Sequence, residues 1–398
     1  MPQAFRVLCA SSERWLSLAH VPWLFHRAGA HVTFLGPAGA WALRGGFVDA
    51  WARADGGAPD VARALGRHLS RAATRAADYD WIVIGDDALL AAVAAHRAAP
   101  WAKAALPIAP DDVRVGLLGS KVGFVRAATA LRLPVPASRV CLGIDEARAA
   151  LADVGVPALM KEEGPSGGAG CRLIPDVASL ASLPSSLWSA PLVVQAFVPG
   201  PTIAVEAVFD RGHLRHAVTS TVLRAWPAPF GISTSRRFAH DPAVVDLARE
   251  VGRTVGVHGF ANITVMRDRA DGRPLLVELD PRPNALFHLG DALGVPVSVT
   301  LRDILQGNAN GPLRRLHGGV DVVVPIYPAD VIRSAVERDW QGVAAWALNL
   351  DGRWRWARNA DPRLARAYRR HIVRQVARAT WPGRLREHAQ AWLAARRR

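Results

Sequence analysis

Glu278 and Asp280 stand two residues apart at the end of an apolar stretch, Leu275-Leu276-Val277-Glu278-Leu279-Asp280. On a strand, residues two apart share a face. Two carboxylates side by side on such a strand repel unless a cation sits between them, and hard oxygen ligands beside phosphates suit Mg2+. Taken alone, the pair reads equally well as a strand end facing water or as a partner for Arg282. A second group is Lys161 followed by Gly164-Pro165-Ser166-Gly167-Gly168-Ala169-Gly170. Glycines let backbone N–H groups approach phosphate oxygens closely, and Lys161 would add one positive charge there. The Gly-Lys-Ser/Thr of a P-loop is absent, since Ala169-Gly170-Cys171 follows. Alone, this loop also fits a flexible hairpin turn. A third group is the apolar run through Gln195-Ala196-Phe197-Val198 into Pro199-Gly200-Pro201, which can offer backbone N–H and C=O groups to the edge of a base.

The elements around these residues read as α/β. Residues 5–10, 31–36 and 81–85 are short apolar strands, and residues 15–27 and 61–77 have helical spacing. Strands alternating with helices imply a parallel sheet with crossovers. No Gly-x-Gly-x-x-Gly follows the first strand, which excludes a dinucleotide fingerprint. Residues 106–112 read as a linker. Ser120 caps a helix over 122–131, Asp145 caps one over 145–154, and Asp241 with Pro242 opens one over 241–255. Strands are expected at 156–161, 171–174, 192–198, 202–209, 215–223, 260–266, 274–279 and 320–326. The stretch 231–235, ahead of Arg236-Arg237, reads as a loop.

The chain has 398 residues and a formal net charge of +15, half of its residues being hydrophobic. That composition excludes disorder and low complexity as the main state. The charge is concentrated: residues 353–398 hold 14 Arg against Asp361 and Glu387. Only Lys103, Lys121 and Lys161 are lysines among 49 basic residues, so each lysine stands out from an arginine background. Cys9, Cys141 and Cys171 lie far apart, which argues against a disulfide framework or a zinc site and for small apolar core residues. No uncharged apolar run reaches ~18 residues, and no signal pattern opens the chain. A cytoplasmic protein is the expectation.

The order Ser120-Lys121, Lys161 with its glycine loop, the Gln195–Gly200 hinge, then Glu278-x-Asp280-x-Arg282 resembles the ATP-grasp superfamily of carboxylate–amine and carboxylate–thiol ligases. The likeness covers residues 107–310 and is closest to the carbamoyl-phosphate-synthase-like and amino-acid-ligase-like branches. It implies an N-terminal α/β domain (1–106), an ATP-grasp domain (107–315, small lobe about 137–195) and a C-terminal extension (316–398). It implies ATP and Mg2+ as cofactors, a small-molecule carboxylate, and an amine or thiol acceptor. Lys121 and Lys161 would contact phosphates, under the amides of Gly167, Gly168 and Gly170. Gln195, Ala196 C=O and Val198 N–H would hold the base. Glu278 and Asp280 would hold the metal, Arg282 would face the transferred phosphoryl, and Asn284 would position substrate.

Three departures qualify the likeness. Thr264 stands where the family places an acid on the strand paired with Glu278, and Asp280 stands where Asn is usual. Thr202 replaces the acid that contacts ribose, with Glu206 as a substitute on the same face. Arg236 reads either as a contact to the γ-phosphate or a substrate carboxylate, or as part of a solvated basic loop. His258 and His288 read as structural. The implied reaction is phosphoryl transfer to a carboxylate and attack on the acyl phosphate. The rival is a nucleotide-binding protein with reduced catalysis, whose basic tail contacts an anionic partner. In that tail Tyr368, Ile372 and Val376 mark the apolar side of an Arg-rich helix, which fits either such a contact or a docked terminal helix.

Overall fold

The computed structural model describes residues 5–71, 74–164, 170–308, 311–357 and 361–380. The apolar run Phe5–Ala10 forms β1, followed by α1 (Val21–Arg27), β2 (Ala30–Gly36), β3 (Ala50–Arg53) and α2 (Ala58–Leu69). A two-residue ribbon, β4 (Ser70–Arg71) with β5 (Thr74–Arg75), precedes β6 (Trp81–Ile84), α3 (Asp87–Ala94) and α4 (Pro100–Ala105). The main sheet here is parallel, in the order β3-β2-β1-β6. Two expected helices are shorter than their spacing suggests. Residues 15–27 break into a 3-10 turn, Leu16–Leu18, and α1, because Pro22 lacks an N–H and is tolerated only in a first turn. The helix expected over 61–77 stops at Leu69, where the chain turns into the ribbon.

After α5 (Asp112–Val115) comes α6 (Lys121–Ala130), capped as expected: Gly123 N–H donates to Ser120 Oγ at 2.8 Å. A small antiparallel sheet follows, from β7 (Ser138–Cys141), β8 (Ala158–Glu162), β9 (Cys171–Ile174) and β10 (Leu192–Ala196), in the order β7-β10-β8-β9. Helix α7 (Ile144–Val154) packs on it, and Leu151, Met160 and Val194 belong to its core. Gly143, not Asp145, occupies the cap position of α7.

The large sheet contains β11 (Thr202–Asp210), β12 (His213–Trp226) and β13 (Ile232–Ala239), then, after α8 (Pro242–Val255), β14 (Gly259–Arg267) and β15 (Pro274–Asp280). Helices α9 (Leu289–Ala292) and α10 (Val297–Leu305) lead to β16 (Arg314–Arg315) and β17 (Asp321–Pro325). The order is β15-β14-β11-β12-β13-β17, with β16 parallel to β12. Residues 231–235, expected as a loop, are mostly strand: β13 gains its hydrogen bonds from neighbours on both sides, which sequence alternation alone does not reveal.

The chain divides into two compact units. One comprises Met1–Val222 and Arg237–Val322, the other Leu223–Arg236 and Val323–Arg398. Within the first, the parallel sheet and the large sheet share their cores. Leu8, Ile84 and Leu89 cluster with Val251, Leu276 and Leu279, while Phe25, Phe34 and Trp81 cluster with Phe260, Phe287 and Val297. Each such side chain contributes about 1.5–3 kcal/mol on full burial, so the two sheets are held as one body. The second unit contains α11 (Ala329–Val336), α12 (Trp340–Leu348) and α13 (Pro362–Thr380). Its centre is polar: buried Arg333 pairs with Asp330 at 3.0 Å and with Asp339 at 2.8 Å, and Trp346 Nε1 donates to Asp330 at 2.9 Å. Tyr327, Trp346 and Trp354 pack ring to ring beside it. No described helix is long and apolar enough to cross a membrane.

Candidate active site

Strand register assembles the polar centre of the first unit. Thr264 lies opposite Glu278 and Asn262 opposite Asp280, while Glu206 lies opposite Asn262 from the other side. Directly opposed residues share a face, so Glu206, Asn262 and Asp280 form a row across three strands. Asn284 Nδ2 ties that row together, donating to Glu206 Oε1 at 3.0 Å and Asn262 Oδ1 at 3.1 Å. Asn262 Nδ2 reaches Asp280 Oδ2 at 3.5 Å, and Arg282 Nη2 reaches the same oxygen at 3.3 Å.

Arg282 is fixed by a residue that the sequence reading did not single out. Its Nε donates to Asp87 Oδ1 at 2.5 Å and its Nη2 to Asp87 Oδ2 at 2.6 Å, a two-point fork. Asp87 opens α3, and the preceding Asp86 caps that helix, accepting from Leu89 N–H at 2.8 Å. Asp86 also accepts from Ser11 Oγ, Ser12 N–H and Ser12 Oγ at 2.7–2.8 Å. These residues follow the carboxyl ends of β1 and β6, where the strand order reverses. Open α/β sheets place their ligand crevices at such a point. The Arg282 guanidinium also lies 5.7 Å from the Trp15 ring centroid.

The charges here are strongly coupled. Burial pushes the Asp280 carboxyl well above its usual range; Glu278 and Asp87 push it further, against the pull of Arg282. For Arg282, burial alone would lower the pKa, but Asp280, Asp87 and Glu278 together raise it, so it stays a cation. Excess negative charge is therefore held around one arginine.

Lys161, on β8, lies opposite Cys171 on β9. Burial lowers its pKa and Lys121 lowers it too, while Cys171 and Glu278 act the other way. Lys161 thus senses Lys121 and Glu278 together. Gly164 and Gly170 flank the glycine loop with φ of +90° and +74°, angles suited to glycine. Gly167 and Gly168 lie outside the described residues. The acids beside Lys161 have local roles. Glu163 accepts from Lys121 N–H at 2.8 Å and Val122 N–H at 3.0 Å, an anion at the amino end of α6. Glu162 pairs with Arg172 at 3.1 Å.

At the hinge, Ala196 N–H donates to Ala137 C=O at 2.8 Å and Phe197 N–H to Pro157 C=O at 3.3 Å. Gln195 is buried, and its amide donates to Ser138 Oγ at 2.9 Å, toward β7. Val198 is buried just beyond. Pro199 and Pro201 carbonyls accept from Arg269 and Arg267 N–H, at 3.2 and 3.3 Å. A Cβ on Gly200 would lie 1.7 Å from Arg267 O, so only glycine fits there. Thr202 Oγ1 lies 3.1 Å from Met266 Sδ. Arg236 belongs to the second unit, where its Nε donates to Ser233 Oγ at 2.7 Å. The structure therefore brings together Glu278, Asp280, Arg282, Asn284 and Glu206. It adds Asp87, Asn262 and Glu163. The one signal for Asp87 is an acid pair directly after the buried strand Trp81–Ile84.

No family model matches the chain, and no curated protein matches it in sequence. Solved structures do. N5-carboxyaminoimidazole synthetase from Staphylococcus aureus complexed with ADP superposes with a TM-score of 0.65 at 12% identity, over 85% of this chain and 87% of that one. The biotin carboxylase domain of Hydrogenobacter thermophilus 2-oxoglutarate carboxylase, in complex with MgADP, ADP and bicarbonate, gives 0.58 at 13% identity, over 79% and 72%. L-amino acid ligase from Bacillus licheniformis gives 0.52 at 16% identity, over 78% of each chain. The sequence order of lysines, loop and acids and the three-dimensional likeness agree: this chain has the ATP-grasp fold.

Proposed function

We propose that this chain is an ADP-forming ligase that activates a substrate carboxylate as an acyl phosphate for attack by an amine or thiol. The observation that carries the reading is Arg282, held as a cation beside Glu278 and Asp280, with Lys161 in electrostatic reach. The likeness to an L-amino acid ligase and to an ADP-bound synthetase supports it. The domain division 1–106, 107–315 and 316–398 belongs to the same proposal.

Lys121 and Lys161 hold the phosphates of ATP, covered by the amides of Gly167, Gly168 and Gly170. Ala196 C=O and Val198 N–H hold the base with Gln195 behind them, and Thr202 or Glu206 takes the ribose. A carboxylate oxygen of the substrate attacks the terminal phosphorus, and the bond to ADP breaks. Arg282 faces the phosphoryl group in transit and stabilises its charge. The amine or thiol then attacks the acyl carbon, phosphate leaves, and the nucleophile's proton passes to solvent. Asn284 positions the carboxylate. Glu278 and Asp280 fit Mg2+ by donor type and by the excess negative charge that raises Asp280. Among the described residues no three Asp, Glu, His or Cys side chains are placed to hold a metal ion together; Mg2+ bound through two carboxylates and substrate phosphates needs no third. When bound, Mg2+ neutralises phosphate charge.

A hydroxylamine trap across a library of carboxylic acids tests the reaction, because it reports acyl phosphate without knowledge of the acceptor. Hydroxamate formation with one acid class, lost in Glu278→Gln, is the expected result. A second reading, a nucleotide-binding protein with reduced catalysis, is favoured by Thr264 opposite Glu278 in place of an acid. ADP binding with no hydroxamate from any acid would select it.

A further inference from the structure

The second unit places an arginine ridge beside an aromatic cavity. Helix α13 carries Arg363, Arg366, Arg369, Arg370, Arg374 and Arg378, and no Asp or Glu. Arg363, Arg366, Arg370, Arg374 and Arg378 recur at i, i+3, i+7, i+11 and i+15, and all five are exposed. At 100° and 1.5 Å per residue they fill an arc of about 120° over about 22 Å of axis. On the apolar side of α13 Leu364 and Tyr368 are buried, each 2% exposed, and Ile372 and Val376 are half-buried, while Val373 is 68% exposed. An interfacial membrane helix must bury an apolar face among acyl chains, and Val373 is the one large apolar side chain of α13 left exposed for that. What remains outward is charge in guanidinium form, which matches phosphate oxygens.

Next to this ridge a cavity of about 580 Å3 is lined by Tyr327, Asn349, Gly352, Trp354, Arg355 and Arg369. Trp354 is 43% exposed, yet its Nε1 is anchored, donating to Trp346 C=O at 2.6 Å. The Tyr327 ring lies 5.8 Å from it, and Arg355 lies 4.5 Å over the Trp356 ring. Arg353 is neutralised by Asp351 and Asp330, whereas no ion pair takes up Arg355 or Arg369 among the described residues. A held aromatic face beside a track of cations is the arrangement that binds unpaired strands: bases stack on the ring and phosphates follow the cations. Duplex bases are already stacked on one another and leave no face for Trp354.

We propose that this unit binds single-stranded nucleic acid, one base stacking on Trp354 and the backbone running along Arg369 and the outer arginines of α13. The test uses the full chain and a fluorescein-labelled 20-nucleotide oligo(U), followed by anisotropy from 50 to 200 mM NaCl. Five phosphate contacts predict a slope of log K against log salt of about −3.5. Combined Arg366→Gln, Arg370→Gln and Arg378→Gln should reduce that slope by about 2. Trp354→Leu should weaken binding about tenfold at unchanged slope, and Trp354→Tyr should recover most of it. The arginine variants lie on an exposed face, so they keep the test valid if the leucine variant fails to fold. Absence of binding at 50 mM NaCl overturns the proposal. So does equal binding of a 20-base-pair duplex, or of phosphatidylserine vesicles, with Trp354→Leu and Trp354→Tyr alike.

Discussion

Replacing Asp87 by Asn keeps the shape of the Arg282 partner and removes its charge. One carbonyl oxygen then remains for two N–H donors that now fork onto two oxygens, at 2.5 and 2.6 Å. The two side chains are 12% and 27% exposed, so solvent screens the pair only in part. Breaking a fully buried pair costs about 3–5 kcal/mol; losing one charged hydrogen bond costs about 1.5–3 kcal/mol. Arg282 retains Asp280 at 3.3 Å, which places the expected loss near about 2 kcal/mol. Urea unfolding should show the midpoint falling at unchanged m-value. A double-mutant cycle with Arg282→Gln should return a coupling of about 1.5 kcal/mol or more, against the ~0.3–0.5 kcal/mol of independent sites. Asp87→Asn should also lower hydroxamate formation while leaving ADP affinity unchanged, since Asp87 acts through Arg282 rather than on the nucleotide. A coupling indistinguishable from zero would refute the fork as a positioning device.

Three further outcomes are expected. Lys161→Met should weaken ATP binding by about 1.5–3 kcal/mol and leave AMP nearly untouched; calorimetry giving equal losses for both would mean that Lys161 supports the fold instead. Glu278→Gln should weaken Mn2+ binding in the presence of ADP, read by electron paramagnetic resonance, with the melting temperature unchanged. Stability should fall on acidification, because burial holds His216 at about 3 and His288 at about 4, with Arg314 adding to the effect on His216. Both are neutral when folded and take up protons when unfolded below pH ~6.5, so their contribution is complete above that pH and is lost toward their folded values. Between pH 6.5 and 5 each should cost about 2 kcal/mol; His216→Leu should flatten the profile of unfolding midpoint against pH, and an unaltered profile would remove His216 as a cause.

Local rules were legible in the sequence where they act over a few residues. Ser120 caps α6 and Asp241 with Pro242 opens α8, because each cap needs only its own next turn. The acid pair was legible because strand alternation puts Glu278 and Asp280 on one face whatever lies beside them. Features that depend on neighbouring strands were not. β13 is rich in small polar residues, and its partners, not its own pattern, make it a strand. Asp87 and Arg282 are joined by the packing of the parallel sheet against the large sheet, and nothing within either segment signals the other. Nothing in its own segment signals the role of Glu163, whose carboxylate accepts from the first N–H groups of α6.

The register also bears on the departure at Thr264. The resemblance implies one acid on β14 opposite Glu278, and Asn at the position of Asp280. Here Thr264 holds the first place and Asp280 the second, and the residue directly opposite Asp280 is Asn262. The face therefore still carries two carboxylates and one amide across β14 and β15, with an acid displaced from β14 to β15 and an amide on β14. Displacement by one row moves the second carboxylate toward Arg282, at 3.3 Å. It also requires more cation on that side, since Glu278 and Asp280 now share one strand face. Asp87 cannot supply that cation, but by fixing Arg282 it keeps the guanidinium beside Asp280, so that the acid pair has a positive partner within the chain itself.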